Sequence, residues 1–122
     1  MNKDTIIYWA TTGILGAMML FSAAMYFTNP DAAAAFQHLG YPDYFRVELG
    51  AAKIVGALVL LIPAIPSKIK DFAYTGFAIV FVSAAVSHLA SGDGISAAIA
   101  PLVFLTFLTV SYLYAQKRAA VA

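Results

Sequence analysis

Four ionisable residues stand inside apolar helix patterns that should exclude them. The stretch from Tyr44 to Ile62 carries Arg46, Glu48 and Lys53, and the stretch from Phe72 to Ala90 carries His88. Even on the gentlest scale, a charge near the centre of a bilayer costs roughly 2.5–3.5 kcal/mol, so each of these groups needs a partner, a cavity or an interface. Glu48 and His88 are groups suited to proton transfer, and Lys53 is suited to stabilising negative charge as it develops on an oxygen. These three are the candidate catalytic residues. Tyr26, Arg46, Ser83 and Ser87 are candidates for contacting a substrate. One Glu with one His is a sparse set for a metal, so no metal site is expected. With no cysteine the chain has neither a thiolate ligand nor a dithiol couple, and any redox role needs a bound cofactor or a partner protein.

Counting along the helices places these groups in depth. Glu48 and His88 each fall within about 6 Å of the same interface, so Glu48 is expected to accept a hydrogen bond from His88. Lys53 lies about 13 Å in, near the midplane. At 100° per residue Arg46, Gly50, Lys53 and Ala57 share a face, while Glu48 is roughly 140° from Lys53, which makes an intrahelical Glu48–Lys53 pair poor. Lys53 is expected to point into the bundle, toward Ser22, Ser83, Thr106 or a bound ligand. Arg46 is expected to snorkel to the headgroups. The bland alternative for the whole set is interhelical glue that specifies packing.

The elements that must hold these residues are membrane helices. At 62% hydrophobic and 11% charged, the 122-residue chain is far more apolar than a soluble domain of its size. Its net charge of +1, with scattered Lys and Arg, offers no surface for nucleic acid. Spans are expected at 6–28, 44–62, 72–90 and 95–115. The first is longer than the roughly 7–15-residue core of a signal peptide and is expected to be retained. Its Gly13 and Ala17 form a small-xxx-small pair that would admit a neighbouring helix. Asn29-Pro30-Asp31 stops it, and a short interfacial helix capped by Asp31 and ending at Gly40 follows, with Phe36 and Leu39 on the membrane surface and His38 solvated or interfacial. Asp71 opens the third span, where Ser83, Ser87 and Ser91 recur on one face. The Ser91-Gly-Asp-Gly94 turn forces the last two spans together, and Pro101 marks a kink in the fourth.

Lys3, Lys68, Lys70, Lys117 and Arg118 lie on one side of this arrangement, and Asp31, Asp43 and Asp93 on the other. Positive residues favour the cytoplasm, so both termini are expected there. No repeat or linker divides the chain, and residues 1–122 are expected to form a single all-α domain, an integral membrane four-helix bundle.

Lys53-Ile-Val-Gly56 with the Leu-rich run to Pro63, Phe72-Ala-Tyr-Thr-Gly-Phe77, Ser87-His-Leu-Ala-Ser-Gly-Asp93 and Ser111-Tyr112 before a basic tail resemble the DoxX-like family of small bacterial membrane proteins, as does His38-Leu-Gly-Tyr-Pro42. The resemblance covers nearly the whole chain from about residue 36. It implies a four-helix multi-pass protein of the bacterial cytoplasmic membrane, with Lys53, Ser87, His88 and Asp93 at characteristic positions. Relatives in the wider group are named for a thiosulfate:quinone oxidoreductase, which makes a quinone the cofactor candidate. Three functions stay open: binding a lipophilic molecule such as a quinone within a membrane redox system, acid/base catalysis of an isomerase kind on a lipophilic substrate, or a non-catalytic assembly role. The partners expected are the lipid membrane, a lipophilic small molecule, and a redox partner protein or further copies of the chain.

Overall fold

The computed structural model describes residues 2–121 as five helices: α1 (Lys3–Thr28), α2 (Pro30–His38), α3 (Asp43–Leu61), α4 (Ser67–Ala90) and α5 (Ile95–Val121). Three of them, Lys3–Thr28, Ser67–Ala90 and the Ile95–Ala120 part of α5, are long and apolar enough to cross a membrane. Helix α3, at 19 residues, has the length but carries Asp43, Arg46, Glu48 and Lys53. Its charge sets it apart from the other three.

The helices run past the expected limits where polar residues are compatible with a helix outside hydrocarbon. Helix α1 starts at Lys3 because the Asn2 side chain accepts from the Thr5 amide, and α4 starts at Ser67, directly after Pro66. Asp71 therefore lies a turn inside α4 rather than at its start. Helix α2 is capped by Asn29, not Asp31: the Asn29 side chain accepts from the Asp31 amide, with Pro30 in the first turn.

Helices α1, α3, α4 and α5 close a ring in which each touches two others, and α2 lies against α1 and α3. Leu15, Met19, Ala57, Leu60, Tyr74, Phe77, Phe81 and Leu108 fill its centre. The outward faces are as apolar as the inward ones: Ile14 and Phe21 on α1, Val82 and Val86 on α4, and Ile99 and Leu113 on α5 are exposed. Water would not tolerate such a surface and hydrocarbon does, so the chain is built as a membrane protein.

Close approach of α1 and α3 depends on small residues, though not on the expected pair. A side chain added at Gly13 would meet nothing, and Ala17 is exposed. The approach is instead at Gly16, where a Cβ would fall 2.6 Å from Leu61, and at Gly50, where it would fall 2.9 Å from the ring of Phe27. At one end of the ring Ser111 Oγ lies 2.6 Å from both Thr12 Oγ1 and Tyr74 Oη, a buried polar knot tying α1, α4 and α5.

Candidate functional site

At the opposite end of the ring, α2 roofs a cavity of about 380 Å³. Its position follows from the chain: Asn29 ends α1 and caps α2, and Gly40, with φ +87°, lets the chain leave α2 and turn into α3. Ala32, Ala35, Phe36 and Leu39 of α2 form the roof. Phe36 is wedged among aromatic rings, edge-on to Tyr26 at 5.0 Å and about 6 Å from Tyr41 and Phe45. Below them Met19, Leu49, Ile79, Phe81 and Phe104 make the walls apolar, and Pro101 of α5 joins the lining. That proline lacks the N–H that would bond the Ala97 carbonyl one turn back.

A few polar groups converge on this apolar space. Lys53 is 6% exposed, and its Nζ donates to Ser22 Oγ at 3.0 Å and to Tyr26 Oη at 2.7 Å while lying 4.4 Å from the centre of the Tyr26 ring. An ammonium has three protons, so one remains for another acceptor. Tyr26, accepting from Lys53, keeps its own proton to donate. Tyr41 Oη and Ser87 Oγ are 2.6 Å apart at the rim, and Ser83 also lines the cavity.

His88 lines the cavity, but its partner is not Glu48. Gly92 and Gly94, with φ of +79° and +84°, fold the α4–α5 turn so that Asp93 comes back onto the end of α4, and His88 Nδ1 lies 2.8 Å from Asp93 Oδ2. Asp93 Oδ1 is 2.6 Å from His38 Nε2, so one carboxylate on the α4–α5 turn ties α2 to α4. His38 is thus tied into the structure rather than merely solvated. Hydrogen bonds from His88 first, then His38, hold the Asp93 carboxyl below its ordinary value. An ionised carboxylate only accepts, so His88 Nδ1 carries the proton and neutral His88 presents Nε2 as an acceptor.

Glu48 is exposed on the outer side of α3, away from the face of Gly50, Lys53 and Ala57, and is not among the cavity's lining residues. Its rotation about the helix axis, not its depth, keeps it from His88. Arg46 is also absent from the lining: its side chain is 16% exposed, pairs with Asp43 at 3.1 Å and donates to the Tyr26 carbonyl. It holds the end of α1 beside the cavity. Among the described residues no group of three or more His, Cys, Asp or Glu is arranged to hold a metal ion.

The family model that matches the chain is that of the DoxX-like family, over residues 10–111. Comparison with curated proteins and with solved structures gives no match. The matched stretch contains every residue of the cavity.

Proposed function

The chain belongs to the DoxX-like family, and from that premise we propose that its cavity receives a lipophilic molecule bearing polar oxygen, a quinone being the class that fits, as part of a membrane redox system. The observation that carries this reading is Lys53: a buried ammonium with one proton unspent, in a space whose walls are mostly apolar. The cavity's size is within the roughly 300–1,000 Å³ usual for small-molecule sites, and a few convergent polar groups in apolar walls are their usual make-up. A quinone, when bound, supplies uptake and release of electrons coupled to protons at its oxygens. In this reading Lys53 and Tyr26 donate to one oxygen deep in the cavity, and Ser83, Ser87 and His88 serve the rim. His88, oriented by Asp93, exchanges a proton at Nε2. Arg46 acts on the ligand only through Tyr26, and Glu48, outside the cavity, takes no part in binding.

The reading includes a topology: α3 crosses as a fourth span, its charges turned inward or held at the end near α2, in a bacterial cytoplasmic membrane with both termini inside and residues 1–122 as a single domain. Burial of Lys53 and the Arg46–Asp43 pair supports it, because both remove charge from lipid. A second reading, acid/base isomerisation of a lipophilic substrate, is favoured by the His88–Asp93 pair, with Asp93 in the role expected of Glu48.

The test is the molecule retained. Protein purified gently in lipid is extracted and its small molecules identified by mass spectrometry, alongside Lys53→Met and His88→Ala. A quinone or another oxygen-bearing lipophile is expected in the wild type and depleted several-fold in both variants. Equal retention in all three, with the fold intact, would return the protein to an assembly role.

A further inference from the structure

A second space begins where the cavity ends. Helices α3 and α4 meet less closely than any other neighbouring pair in the ring, and between them runs a groove of about 530 Å³. Leu49, Lys53 and Val80 line both the groove and the cavity, so the two spaces share a wall at the buried amine. Apart from Lys53 the groove is lined wholly by apolar residues and glycines. On α3 it extends from Leu49 to Val59, about 15 Å at the helical rise, and it reaches Phe72 near the start of α4. An elongated apolar groove that passes Lys53, whose amine serves the adjoining cavity, has the shape of a site for an apolar chain whose polar end lies in that cavity.

We infer that this groove holds the apolar tail of the molecule whose oxygen-bearing head occupies the cavity, so that the ligand is a tailed amphiphile reaching Lys53 sideways from the bilayer between α3 and α4. This rests on the binding reading above and adds the substrate class and the route. A second copy of the chain laid on the groove would cover the same walls, but it would make no use of the residues the groove shares with the cavity. Hydrocarbon continuing from an oxygen in the cavity suits the walls and the amine together.

The groove can be filled without touching the cavity. A side chain at Gly76 would meet nothing within 4 Å, Ala52 is exposed, and neither residue lines the cavity. The double variant Gly76→Leu/Ala52→Leu is compared with wild type in nanodiscs of one lipid composition, with folding checked by circular dichroism. Two probes are titrated: a substituted benzoquinone without a tail, and the same head carrying a decyl chain. Holding the lipid fixed cancels partitioning of the tailed probe into the bilayer. The variant is expected to bind the decyl probe about tenfold more weakly, and the tailless probe within about twofold of wild type. An equal loss for both probes, or no change in either, overturns the inference. No change in either probe together with loss of self-association would assign the groove to a second copy. If the tailless probe binds but filling the groove has no effect, only this inference falls; if neither probe binds wild type, the quinone reading of the cavity falls with it.

Discussion

Lys53 is the residue on which the chemistry turns, and its surroundings separate a functional role from a structural one. Its amine satisfies Ser22 and Tyr26, but both are hydroxyls able to find other partners, so nothing buried is left charged when Lys53 is removed. Replacing a buried charge by an apolar residue of similar volume is often neutral or stabilising. Lys53→Met is therefore expected to keep or raise the thermal midpoint while emptying the cavity, and a lower midpoint would make the amine structural. Asp93 behaves in the opposite way, because its contribution depends on its charge. Its folded pKa lies below the ordinary 3.8, so its stabilisation is fully present above that value and is lost as pH falls through the lower, folded value. The stabilisation of wild type over Asp93→Asn should persist from neutrality down to about pH 4 and be lost only below it. A difference that vanished already near pH 6 would mean that the tie does not rest on the Asp93 carboxylate. The sequence made the burial of Lys53 legible at this scale, since an ammonium so far along an apolar helix pattern has to turn inward. It did not make the partners legible: Glu48 and His88 share a layer yet face different ways, and Asp93 reaches His88 only through two left-handed glycines that a helical count passes over. His38 is exposed, as the sequence predicts, but its tie to Asp93 is not legible there because that partner lies in a loop far along the chain.

At the scale of elements, the polar knot and the roof do different work at the two ends of the ring. The knot is closed: Thr12, Tyr74 and Ser111 satisfy one another, and no buried side-chain nitrogen or oxygen among the described residues lacks a partner. Ser111→Ala removes the shared member and leaves two buried hydroxyls competing for none, at a cost of about 1–2 kcal/mol, the range for unpaired buried polar groups tempered by measurements within membranes. Thermal unfolding should show this loss with ligand retention unchanged, because the knot is at the far end from the cavity. An unchanged midpoint would mean that the two hydroxyls find new partners. The roof is open to rearrangement by comparison: α2 is nine residues long, and apart from Phe36 its side chains are half-buried or exposed. Its existence was legible from Asn29-Pro30 and Gly40, since those residues stop and start helices by their own backbone chemistry. Its role as the cover of a cavity was not, because a period of 3.6 says which face is apolar but not what that face meets. The same limit explains why Gly16, rather than Gly13, marks the approach of α1 to α3.

For the whole molecule, the distribution of charge argues for a direction across the membrane. Lys70 Nζ donates to the Leu60 carbonyl at the end of α3, and Arg118 stacks 4.5 Å from the Tyr8 ring, so the basic residues gather with aromatic rings at the end holding the polar knot. Asp31, Asp43 and Asp93 gather at the end with the roof. Basic residues favour the cytoplasmic side and aromatic rings the interface, so the proposed topology turns the roof and the mouth of the cavity outward. The point on which this turns is α3, since three helices qualify as spans on length and composition while its charges exclude it from that group. If α3 crosses, the roof and the α3–α4 connector are on opposite sides; if it does not, they are on the same side. The absence of cysteine permits a direct test, with Gln37→Cys on the exposed side of α2 and Ser67→Cys at the start of α4, each labelled by an impermeant maleimide on intact cells and again after lysis. Gln37→Cys is expected to react in intact cells and Ser67→Cys only after lysis. Reaction of both from one side would leave α3 uncrossed, and the charges of Arg46, Glu48 and Lys53 would then need no pairing against lipid, which would remove the physical ground for reading Lys53 as a binding residue.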